Sequence, residues 1–173
     1  MKFKSLFAYQ EKSLEKKYVK EVQIDTDLEI LFPDEYINVV NERLVLYNEL
    51  IAIKDENALM EFKKNIEDRF GGIPPQGIEL LNTVRLKWLA SKMGLERLII
   101  KKNKCVAYFL MDQQSDFYQS SVFSQILLGV QRESKKFSLK EKQTRNGLRL
   151  LLLIEQVHSI EKLMERLNYL KGN

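Results

Sequence analysis

A chain of 173 residues with 45% hydrophobic and 30% charged side chains can bury the core of one domain, and this balance excludes disordered and fibrous classes. No apolar run approaches the ~20 residues a membrane-spanning helix needs, and Met1–Phe7 lacks the apolar centre and cleavage site of a secretory signal, so a cytoplasmic location is expected. Cys105 is the single cysteine, which leaves no internal disulfide, and the net charge of +4 hides a polarity: Glu21 to Asp68 holds thirteen acidic and four basic residues, Arg69 onward eighteen basic and nine acidic.

In chain order, Gln10 to Lys20 is rich in Lys and Glu with Leu14 and Tyr18 four apart, the pattern of a short solvated helix or a linker. Val22 to Phe32 alternates apolar and acidic residues as an extended segment does, and Pro33 ends it. Asp34 is the expected cap of a first helix whose stripe Ile37, Val40, Leu44, Tyr47 and Ile51 would face the core. Asp55 is the expected cap of a second, which buries Leu59, Phe62, Ile66 and Phe70. At 100° per residue this sets Glu61, Asn65 and Asp68 on the opposite, outward side.

Gly71 to Pro75 stops that helix and starts a third, because Gly71 can take the left-handed conformation and Pro75 suits a first turn. The third helix is apolar around much of its girth and therefore central, and Gly94 closes it. Leu95–Lys102 and Lys104–Met111 read as a hairpin turning at Asn103, Ser115 or Asp116 as the start of a helix, Lys136–Glu141 and Gly147–Ile154 as a second hairpin, and Ser159 as the cap of a last helix. The order is N-terminal helices, then β-hairpins and two further helices, an α+β fold.

No glycine pattern matches a phosphate-cradling loop, and one cysteine with one histidine cannot make a zinc cluster. His158 is a lone histidine beside a helix start, and the pairs Asp25/Asp27 and Glu67/Asp68 have no local cause for a raised pKa. No catalytic, metal or cofactor-binding residue is therefore expected, and the chain does not read as an enzyme. Arg132 to Arg149 forms a basic ribbon in which Lys135, Lys136, Lys140 and Lys142 are candidate phosphate contacts; the plainer reading is an edge hairpin protected by lysines.

Leu31-Phe32-Pro33-Asp34-Glu35-Tyr36-Ile37, Asn41-x-Arg43-Leu44-x-x-Tyr47, Asp68-Arg69-Phe70-Gly71-x-x-Pro74, Arg85-Leu86 and Met93-Gly94 together resemble the C-terminal domain of the bacterial transcription-repair coupling factors. The resemblance runs from about Asp27 to Ile100. It implies a larger DNA-translocating ATPase that engages RNA polymerase, UvrA and DNA, with residues 1–22 a linker or helical extension from a preceding motor domain. Residues 23–173 would be its regulatory domain, docking on the N-terminal UvrA-binding domain of the same protein to hold an autoinhibited state. The family's docking surface includes a carboxylate three residues before the Asp of Asp-Arg-Phe-Gly and that Asp itself. Asp68 keeps the second position, Asn65 replaces the first, and Glu61 lies one turn earlier on the same face.

Overall fold

The computed structural model describes residues 16–172, and the helix or linker expected over Gln10–Lys20 falls mostly outside them. Strand β1 (Gln23–Thr26) is all that forms of the extended run expected up to Phe32. Thr26 Oγ1 accepts from the Leu28 amide at 3.0 Å and bends the chain away there.

Helix α1 (Val40–Ala52) starts later than the Asp34 cap predicts. Tyr36 and Ile37 donate their amides to Pro33 O in a local turn, and Asp34 pairs instead with Arg43 at 3.1 Å. The buried side of α1 also differs from the expected stripe: Leu46 and Leu50 face inward, while Val40, Leu44 and Ile51 face outward, Ile51 at 76% exposure. The helix carries two apolar arcs, and tertiary packing chooses between them. Tyr47 stacks on Phe32 at 5.5 Å and its hydroxyl accepts from the Phe32 amide, turning the Leu46/Leu50 arc toward the core.

Helix α2 (Glu56–Phe70) begins as expected, with Asp55 accepting from the Ala58 amide at 2.8 Å. Gly71, at φ +86, ends it, and Pro75 opens α3 (Pro75–Lys92). The hairpin of β2 (Leu95–Lys101) and β3 (Lys104–Phe109) turns through Lys102 and Asn103, both at positive φ, as a two-residue turn requires. The helix expected from Ser115 or Asp116 is split. A 3-10 turn, Asp116–Gln119, capped by Ser115, precedes α4 (Ser121–Arg132), whose cap is Ser120 in an extended conformation. Then come β4 (Phe137–Thr144), β5 (Gly147–Ile154) and α5 (Ile160–Lys171), with Ser159 accepting from the Lys162 amide at 3.0 Å.

The five strands form one mixed sheet in the order β1-β2-β3-β5-β4, β1 parallel to β2 and the rest antiparallel, so the fold is α+β as expected. Alternation divides the sheet. Leu98, Ile100, Cys105, Ala107, Phe109, Phe137, Leu152 and Ile154 lie under the helices in one apolar cluster with Leu86, Ile126 and Leu167, and Val19 and Val22 join them. A second cluster, Phe32, Ile37, Leu46, Leu50, Leu59, Phe62, Ile66 and Leu81, joins α1 and α2 to the start of α3. Helix α3 thus serves both clusters, consistent with its expected central place.

Candidate docking face

Because Leu59, Phe62 and Ile66 lie on the buried side of α2, Glu61, Asn65 and Asp68 are held on its outward side, and all three are exposed. The electrostatic surroundings separate these carboxylates from their neighbours. Glu42 pairs with Arg69 at 3.6 Å, Glu56 with Arg85 at 2.7 Å and Glu67 with Lys63 at 3.7 Å, and Asp55 is occupied as a cap. Glu61 and Asp68 have no cation within 4.0 Å among the described residues. Lys64, exposed four residues before Asp68, belongs to the same outward arc and tempers its charge; that spacing was readable in the sequence.

The framework behind this face is fixed by directed contacts. Arg85 donates through Nε and Nη2 to the Glu56 carboxylate, a forked pair that ties the start of α2 to α3 and holds the Glu56 carboxyl below its usual range. At the other end Tyr36 donates its hydroxyl to Gly71 O at 2.6 Å, and burial together with Glu67 pushes that phenol up. Beside the acidic arc, α1 presents Val40, Leu44, Val45 and Ile51 to solvent, and Met60 is exposed on α2 next to Glu61. Between α1 and α3 lies a hollow of about 370 Å³ lined by Tyr47, Leu50, Ile51, Val84 and Trp88.

The basic ribbon does not form one surface. Phe137 and Leu139 point to the helix-covered side, so Lys140 and Lys142 project from the open face of the sheet and are exposed. Near them Tyr108 lies 5.4 Å from the Arg149 guanidinium and 6.0 Å from that of Arg97, and a depression of about 660 Å³ is lined by Arg97, Tyr108, Lys142 and Arg149. Lys135 and Lys136 sit in the turn before β4, at the far end of the strand, where Lys136 lies 3.9 Å from Glu133. His158 is exposed in the connection to α5. Cys105 is buried in the sheet and burial raises its thiol to about 12. Among the described residues no group of three His, Cys, Asp or Glu side chains is placed to hold a metal ion, and no helix is long and apolar enough to cross a membrane.

A family model described as the TRCF domain matches residues 26–120, more than half of the chain and all of α1, α2 and α3. This chain belongs to the TRCF domain family. The transcription-repair-coupling factor of Escherichia coli K12 is 36% identical over 94 residues, covering 54% of this chain and 8% of the relative. That of Buchnera aphidicola from Acyrthosiphon pisum is 28% identical over 133 residues, covering 77% and 16%. That of Staphylococcus epidermidis RP62A is 27% identical over 154 residues, covering 80% and 13%. The chain therefore spans between 8% and 16% of the length of these relatives. A crystal structure of the C-terminal domain of transcription-repair coupling factor superposes with a TM-score of 0.63 at 17% identity, covering 91% of each chain. The TRCF fold thus continues through the β4–β5 hairpin and α5, beyond the residues the family model matches.

Proposed function

We propose that this TRCF domain is a non-enzymatic regulatory module of a DNA-translocating repair ATPase that works in the cytoplasm. It docks on the UvrA-binding domain of its own parent protein and holds the resting state. The observation that carries this reading is the outward pair Glu61 and Asp68, left without a cation on a helix hairpin where Glu42, Glu56 and Glu67 each have one. Unpaired outward carboxylates suit an arginine-bearing partner surface. The exposed aliphatic side chains of α1 give such a contact apolar area beside the charges. A partly exposed ion pair contributes about 0–1 kcal/mol, so two or three of them make a latch that a competing partner can open.

The test is made in the full-length parent with Glu61→Arg and Asp68→Arg, singly and together. Loss of docking should raise UvrA capture and the ATPase rate above the resting level. Resting values of both in the folded double variant would defeat the docking role.

A second reading rests on the open sheet face, where Lys140 and Lys142 accompany Arg97, Arg149 and an accessible Tyr108 ring. These groups suit phosphate contact with stacking and without base readout. Retention of a DNA duplex by the chain in a mobility shift, lost when Lys135, Lys136, Lys140 and Lys142 become Glu, is the expected result. Retention unchanged by those substitutions removes this reading.

A further inference from the structure

Two buried guanidinium groups have an Nε with no hydrogen-bond partner among the described residues, those of Arg149 and Arg166. Their situations differ. Arg149 is neutralised by Glu96 at 2.8 Å and also donates to Phe109 O at 3.0 Å. Arg166, on α5, is only 9% exposed and has no carboxylate within 4.0 Å among the described residues. Its one polar contact is a long hydrogen bond of 3.4 Å from Nη2 to Gln156 Oε1. A guanidinium carries five donors and a charge it cannot shed, so a nearly buried one with a single weak bond is costly unless something absent from the protein itself completes it.

The space beside Arg166 has the matching chemistry. An open depression of about 570 Å³ is lined by Asn103, Lys136, Gln156, His158, Lys162 and Arg166, with no carboxylate among the lining groups. The acidic residues of the neighbourhood are engaged elsewhere: Glu133 with Lys136 at 3.9 Å, Glu165 with Lys162 at 3.1 Å and Glu155 with Lys104 at 3.5 Å. The start of α5 does not account for the site. Its amides are already taken, Ile160 N donating to Glu79 Oε2 at 2.5 Å and Lys162 N to Ser159 Oγ at 3.0 Å. What stands over the hollow is an uncompensated Arg166 flanked by two mobile ammonium groups, the imidazole of His158 and two amide side chains.

We propose that this hollow binds a phosphate-type oxyanion, with Arg166 as its anchor and Lys136, Lys162 and His158 closing around it. A tetrahedral oxyanion accepts several charge-assisted hydrogen bonds at once, which satisfies the orphaned Arg166 donors and neutralises the charge. The site is separate from the acidic face of α2 and does not depend on the docking reading. It also assigns Lys136 a role apart from Lys140 and Lys142, which stand on the other side of the sheet.

The test uses the chain with inorganic phosphate as the probe, exchanged for chloride at constant ionic strength and followed by amide chemical shifts and thermal denaturation. Saturating shifts at residues 156–162 with a Kd of about 1 mM or tighter are expected, together with a phosphate-dependent rise in Tm. Arg166→Gln should weaken phosphate binding about tenfold or more, and the exposed substitutions Lys136→Gln and Lys162→Gln by about threefold each, without loss of fold. A DNA duplex competing for the same resonances would identify the source as a phosphodiester, and phosphate binding without that competition a free oxyanion. Shifts that do not saturate, or a phosphate-dependent Tm rise that persists in Arg166→Gln and in both lysine variants, would overturn the proposal.

Discussion

Substituting Gly129 by Ala sets two opposed effects against each other at the contact between α4 and α5. Within a helix Ala is more favourable than Gly by about 0.5–1 kcal/mol, chiefly because the unfolded glycine is freer, so an open position would gain stability. Gly129 is not open. A Cβ there would lie 2.7 Å from Leu170 Cδ2 and 3.3 Å from Leu170 Cα, and Leu170 is 1% exposed, with no room to turn aside. One of the two contacting atoms is backbone, so α5 itself has to shift. Overpacking of this kind costs about 1–3 kcal/mol. The steric term wins, and Gly129→Ala should lose about 1–2 kcal/mol net, seen as a lower urea midpoint at unchanged slope with Trp88 fluorescence as a probe. Leu170→Ala removes Cδ2, so in that background Gly129→Ala should be neutral or slightly stabilising; the difference between the two backgrounds is the coupling. A higher midpoint for Gly129→Ala in the parent chain, or the same effect in both backgrounds, would refute this account.

Cys105 should resist alkylation at neutral pH, because burial holds the thiol near 12 and closes off access; its modification should track unfolding in urea, and a native rate equal to that of a free thiol contradicts this. Asp55→Ala removes the acceptor for the Ala58 amide and should cost about 1 kcal/mol, with Asp55→Ser keeping most of it, measured by urea denaturation. Arg85→Gln should destabilise at neutral pH by an amount that shrinks in acid. Arg85 lowers the folded carboxyl of Glu56, so the contribution is full above the ordinary glutamate value of about 4.3 and is lost as the pH falls through the lowered one. A gap between the two chains that stays constant from neutral pH to about pH 3 would show that the pair contributes nothing through ionisation.

Local chemistry was the most legible part of the fold. Asp55 and Ser159 act on amides three residues away, and Gly71 and Pro75 are set by their own backbone preferences, so their roles can be read without knowing what packs where. The faces of α2 followed from a single apolar stripe, which is why the exposure of Glu61, Asn65 and Asp68 could be anticipated. Helix α1 misled because it has two apolar arcs of similar strength, and the choice between them is made by Phe32 stacking on Tyr47. The parallel pairing of β1 with β2, Gln23 opposite Arg97, joins residues far apart in the chain and leaves no trace in either segment. The basic ribbon looked like one patch because lysines were counted along the chain; strand alternation and the turn at Glu133 separate them in space. Arg166 lies between Leu163 and Leu167 on the flank of the α5 stripe, and its missing carboxylate is visible only once the neighbouring elements are in place.

The division of the apolar interior into two clusters has a further consequence for how this domain comes apart. Helices α1 and α2 bury their side chains with Phe32, Ile37 and the first half of α3, whereas the sheet, α4 and α5 are sealed by a separate set that includes Leu86 and Ala90. The helical hairpin is then a distinct cooperative unit, hinged on α3, able to open while the sheet stays closed. Native-state amide exchange should reveal it as two tiers of protection, lower in α1 and α2 and higher in β2 and β3. The acidic face would therefore be carried by the part of the molecule that yields first, where a partner can add the most stability by binding it.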